Sequence, residues 1–207
     1  MHNTALDTLL QHPRIWRGER GSWTEDDHMA SGFSALDRVL PGGGWPQGAL
    51  TEVLLPHPGI GELQLLLPAL RQLNQEQRWI ALIAPPYIPY APAWQAAGLD
   101  LSRLLWVRPR TPVDQLWAME QALHSGTCGA VITWPTTFPK FQQLRRLQLA
   151  AEASQAWAVV LEPLSAAAQT SPAALRLQLA PTDEGLAVHL LKRRGAWAGE
   201  AVELALA

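Results

Sequence analysis

The stretch LTEVLLPHPGIGEL, residues 50–63, decides how the rest of the chain is read. Residues 50–55 form a mostly apolar run interrupted by Thr51 and Glu52, and read as a buried strand. Pro56, Pro58, Gly59 and Gly61 then break the chain, since proline lacks an amide hydrogen and glycine tolerates conformations other residues avoid. From residue 61 to 75 leucines recur at helical spacing, with an expected kink at Pro68. A strand, a tight glycine-bearing loop and a helix in this order form the place where an α/β protein holds phosphate.

Working outward, the pattern repeats. Residues 79–84 (WIALIA), 104–107, 129–134 (GAVITW) and 157–161 (WAVVL) read as strands. Residues 91–97, 112–125 and 138–154 read as helices, the first closed by Gly98 and the second opened by Pro112. Alternation at this pitch predicts an α/β fold with a mostly parallel central sheet and helices on both faces. The tail changes period: 174–179 and 186–191 alternate around the turn 182–185, an antiparallel hairpin expected at the sheet edge, and 201–206 reads as a third alternating strand. Upstream, 33–40 has helical spacing with Ser31 or Ser34 as the expected cap, and Pro41 to Gly44 stops it. Residues 1–30 are polar and broken by His12-Pro13, and are read as an arm or linker ahead of a core domain spanning 31–207.

A phosphate-binding loop reads G-x-x-x-x-G-K-[ST]: its amides cradle phosphate, its lysine pairs with the outer phosphates, and its hydroxyl holds magnesium. Here Pro56 stands at the first glycine, Glu62 at the lysine and Leu63 at the hydroxyl position, and only Gly61 fits. Pro56 and Pro58 remove amide donors, and a carboxylate in place of the lysine repels a triphosphate. The strand GAVITW ends in Thr133 and Trp134, with no acid to organise magnesium, and Ala84-Pro85-Pro86 after WIALIA supplies no base. Glu162 follows WAVVL as a lone carboxylate with no evident partner. The six histidines lack metal-ligand spacing, and Cys128, beside an apolar strand, reads as a packed residue. The expectation is therefore a protein that is not an enzyme and carries no cofactor or metal.

Composition narrows the setting. Hydrophobic residues are 48% and charged ones 16% of 207, with a net charge of −2, so a globular core is expected and a bulk electrostatic grip on DNA is not. No run approaches the roughly 18 apolar residues of a membrane span, and the start does not read as a signal peptide, so a cytoplasmic protein is expected. Ten tryptophans must be divided between core and contact surfaces. Candidate contacts are the basic run Lys192, Arg193 and Arg194, the aromatic loop Tyr87 and Tyr90 with Trp94, and Trp45 and Trp16. The run's alternative reading is a solvated turn guarding an edge strand, and the loop's is a rigid turn packed on its own aromatics. Arg145 and Arg146 splay apart on one helix and read as an outer face.

The segment GFSALDRVLPGGGWPQGALTEVL, residues 32–54, resembles the approach to the nucleotide site in RecA-family proteins. That likeness implies a RecA-like three-layer α/β/α core with a degenerate nucleotide loop. The segments LLQHPRIWRG, LPGGGWPQGAL, GIGELQLLLPAL, RWIALIAPPYIPYAPA, AAGLDLSRLLWV, RRLQLAAE and KRRGAWAGE are similar to the ImuA family. This implies a non-catalytic accessory of SOS-induced, mutagenic translesion synthesis. Its implied partners are an ImuB-type Y-family polymerase homologue and an error-prone C-family polymerase, with a second copy of the chain or single-stranded DNA as further partners. Residues 79–134 also resemble SulA, the SOS cell-division inhibitor that binds FtsZ, and this is the alternative reading. The 32–54 segment, which SulA proteins lack, favours the ImuA expectation.

Overall fold

The structure, a computed structural model, describes residues 28–193, 199 and 201–206. Nearly all of the expected arm, with Trp16, and Arg194 of the basic run lie outside the described residues. The described fold starts ahead of Ser31: β1 (His28–Met29) pairs antiparallel with β2 (Trp45–Pro46).

Among the described residues, the strands β3 (Leu50–Leu55), β4 (Trp79–Ile83), β5 (Leu104–Val107), β6 (Cys128–Thr133), β7 (Trp157–Pro163), β8 (Leu175–Pro181), β9 (Gly185–Arg193) and β10 (Ala201–Ala205) form one sheet. Its order is β10-β9-β8-β3-β7-β6-β4-β5. The pairings from β8 through to β5 are parallel, and β9 and β10 are antiparallel additions. The architecture is therefore a mixed α/β fold with a mostly parallel central sheet. β3 and β6 are buried along their whole length, which explains their mostly apolar sequence.

The helices are α1 (Ser34–Asp37), α2 (Glu62–Gln75), α3 (Ala91–Ala96), α4 (Pro112–His124) and α5 (Phe141–Ser154). Leucines of α1 and α2, with Trp94 of α3, pack against one sheet face beside Val53, Leu161 and Leu177. Met119 and Leu123 of α4, with Leu144 and Leu147 of α5, cover the other beside Ala81, Val131 and Val160. On the first face Trp45 stacks on Trp157, ring centres 5.1 Å apart, and the Trp157 indole donates to Thr51 Oγ1 at 3.0 Å.

Several expected boundaries shift for local reasons. Neither serine caps α1: Phe33 holds the cap position, Ser31 Oγ accepts the Phe33 amide hydrogen, and Ser34 is the first helical residue. α5 begins at Phe141, not 138, because Pro139 disfavours helical geometry at the residue before it. The Gln143 side chain accepts the Lys140 amide hydrogen at 2.8 Å and fixes the later start. α4 opens as expected, with Thr111 Oγ1 accepting from Asp114 N.

The hairpin is placed differently from expectation. β8 lies inside the sheet against β3, and β10 covers β9, so 174–191 forms no sheet edge. Alternation reports a strand with one polar face, and a strand next to an ion cluster reads the same way as one facing water.

Candidate functional site

The C-terminal ends of β3, β4 and β6 lie together, and the loops that follow them enclose a cavity of about 310 Å³. This is the end of a parallel sheet where α/β proteins bind ligands. One wall is the loop after β3. There Gly59 and Gly61 take φ of +91° and +108°, the left-handed region that favours glycine. The Gly59 amide donates to both carboxylate oxygens of Glu62, at 2.9 and 3.0 Å. Glu62 is the first residue of α2 and is buried, so its charge sits at the positive end of the helix dipole. The loop thus turns one of its backbone amides onto the carboxylate of Glu62 at the head of α2. A Cβ on Gly61 would lie 2.6 Å from Leu206 Cδ1, so the chain beyond β10 packs against the same turn.

The opposite wall is the loop after β4. Ala84 takes φ of +51°, a conformation non-glycine residues seldom adopt. Pro85 and Pro86 stiffen the next turn, and Tyr87, Ile88 and Tyr90 stand 66%, 73% and 69% exposed. The Tyr87 ring reaches over Gly59, 3.7 Å from where a Cβ would stand. Trp94 and Trp134, both buried, form the floor with Leu82. The Trp134 indole N–H has no acceptor. Where an acid would organise magnesium, Thr133 Oγ1 instead donates to Ile83 O at 3.2 Å and accepts from Gln115 Nε2 at 3.0 Å.

The other contact candidates are placed as follows. Trp45 is wholly buried. Lys192 Nζ donates to Ser171 O at 2.7 Å and Arg193 Nη1 to Val39 O at 2.7 Å, both from half-buried side chains on β9. Arg146 of α5 pairs with Glu120 of α4, while Arg145 is exposed. Cys128 is buried, and burial pushes its thiol pKa up. Among the described residues no group of three or more His, Cys, Asp or Glu could hold a metal, and no helix is long and apolar enough to cross a membrane.

Glu162 is not the isolated carboxylate expected. Its carboxyl lies beside that of Glu52 of β3, and Arg176 of β8 forms an ion pair with Glu52. All three are buried, and Arg176 also donates to Ala166 O and Gln169 O at 2.9 and 3.1 Å. Burial first, then the neighbouring Glu52 charge, raises the Glu162 pKa to about 8, against the pull of Arg176. Register sets Glu52 opposite Arg176, and Arg176 opposite Lys192, so the charges line up across neighbouring strands. The only sequence signal was a charged residue inside each apolar or alternating strand.

Fold and site together define a mixed α/β protein whose first strand-loop-helix unit holds the buried carboxylate of Glu62. The family model described as "Cell division inhibitor SulA" matches residues 48–158, more than half of the 207, and the chain belongs to that family. The cell division inhibitor SulA of Yersinia enterocolitica is 30% identical over 119 residues, covering 57% of this chain and 70% of the relative. That of Klebsiella aerogenes is 35% identical over 101 residues, covering 48% and 59%. The crystal structure of SulA from Pseudomonas aeruginosa aligns with 29% identity over 55% of this chain and 97% of that one, at a TM-score of 0.45.

These matches correct the translesion reading. The family and the relatives are cell-division inhibitors, so the expected ImuA assignment, its polymerase partners and its DNA contact are overturned. Residues 48–54 of the segment 32–54, which had favoured that reading, fall inside the matched region, and only its part 32–47 lies ahead of it. That part builds α1 and β2 against the core instead, with β1 paired to β2.

Proposed function

We propose that the chain inhibits cell division by binding the cytoskeletal GTPase FtsZ in the cytoplasm, without catalysis of its own. Membership of the SulA family carries this reading. The loop after β3 supports the non-catalytic part. Its Gly59 amide is taken by Glu62, and Pro56, Pro58 and Leu63 supply neither the amide donors nor the hydroxyl that magnesium-triphosphate needs. The exposed aromatic rim around Tyr87 and Tyr90 is the surface proposed to meet the partner. A RecA-like core is the finer fold reading, supported by parallel strands with helices on both faces and antiparallel strands added at the end.

The test is direct. Purified chain added to FtsZ and GTP should suppress polymer in a sedimentation assay, and overproduction should make cells filament. Unchanged FtsZ assembly at excess chain would refute the proposal. ATP turnover dependent on magnesium would refute the non-catalytic part alone.

A further inference from the structure

The cavity between the loop after β3 and the loop after β4 combines features that point to one ligand chemistry. Its one charged lining residue among those described is Glu62. That carboxylate accepts from a single backbone amide, and among the described residues no cation pairs with it. Each oxygen therefore keeps accepting capacity. Aromatic rings complete the walls: Tyr87 and Tyr90 at the rim, Trp94 and Trp134 below. A buried negative charge attracts a cation, and an aromatic ring that turns its face to the cation adds the pull of its quadrupole.

We infer that this cavity receives an arginine side chain of the partner protein, its guanidinium set against Glu62 and its stem against the tyrosines. The inference rests on the proposed inhibitory binding for its partner. Arginine fits better than lysine because its planar head both forks to a carboxylate and stacks on rings. A volume near 310 Å³ takes one long side chain with neighbouring backbone. The polarity is opposite to that of a phosphate loop. The replacement of lysine by Glu62, which removes nucleotide chemistry, creates the complement for a cation.

The probes are acetyl-Leu-Arg-Leu-amide and its citrulline counterpart, which has the same shape without the charge. Titrated into the whole chain by calorimetry, the arginine peptide should bind at least about tenfold more tightly, a gap of ~1.4 kcal/mol. Glu62→Gln keeps an acceptor for the Gly59 amide and should erase that preference. Tyr90→Ala, at an exposed position, should weaken the arginine peptide alone. Equal binding of the two peptides, no binding at millimolar concentration, or a preference that survives Glu62→Gln overturns the inference. The same variants in the FtsZ assay separate the two proposals. Inhibition that ignores both substitutions, with no arginine preference, removes the pocket and leaves the inhibitor. Arginine binding without any effect on FtsZ does the reverse.

Discussion

The Gly59 amide hydrogen points between the two oxygens of Glu62, three residues ahead, at 2.9 and 3.0 Å. One carboxylate thus closes the loop and faces the N-terminus of α2, two favourable contacts for a buried charge. Replacing it by alanine should destabilise the fold by ~1–2 kcal/mol. Glu62→Gln, which still accepts, should cost less. Urea unfolding of the two variants measures the difference, and equal losses would mean the hydrogen bond contributes little.

Restoring the motif side chains should not restore nucleotide chemistry. In Glu62→Lys with Leu63→Thr the cation and the hydroxyl return, but Pro56 and Pro58 still lack amide donors. Magnesium-ATP turnover should stay at background in a phosphate-release assay. Measurable turnover would show that the side chains alone block the site.

Stability should fall as pH rises between about 4.5 and 8. Glu162 has its pKa raised to about 8 in the fold, so over that window the native state holds a proton that the unfolded chain releases. Its contribution is complete below pH 4.5 and lost above 8. Glu52, Arg176 and Lys192 face the same cluster. Melting temperature against pH should drop less steeply for Glu162→Gln than for the parent chain, and parallel curves would exclude Glu162 as the cause.

Arg176 is the counter-charge that makes a buried glutamate pair tolerable. Arg176→Met leaves Glu52 without its ion pair and Ala166 O and Gln169 O without donors. The expected loss is ~3–5 kcal/mol. Adding Glu52→Gln and Glu162→Gln should recover much of it, because the buried charge goes too. Additive losses in the triple variant would refute the coupling.

Gly32 touches the proline inside α2. Its φ is +86°, and an added Cβ would stand 2.4 Å from Pro68 Cβ. Gly32→Ala should therefore cost about 1–3 kcal/mol. Gly43, with φ of +83° and open space around it, separates the conformational part from the clash. Gly43→Ala should cost less in the same denaturant series.

How much of the fold and the site was legible in the sequence depends on range. β3, β4, β6 and β7 announced themselves as mostly apolar runs, because a strand covered on both faces carries few polar positions to confuse the reading. The departures from the phosphate-loop motif at Pro56, Pro58, Glu62 and Leu63 were legible in the sequence, because a loop motif is local. The partner was misread: RecA-like residues 32–54 outweighed the SulA likeness of 79–134, and the family match runs through 48–158.

What the sequence determined by itself is the set of contacts between near neighbours: strand, loop and helix after residue 50, and a loop with prolines at 56 and 58 and a carboxylate at 62. Tertiary structure alone decided the contacts across strands distant in the chain. It put Glu162 against Glu52, and β8 inside the sheet where a free edge had been expected. It also brought Tyr87 over Gly59. Parallel pairing sets side by side residues separated by a crossover, and local periodicity carries no record of which strand lies next to which.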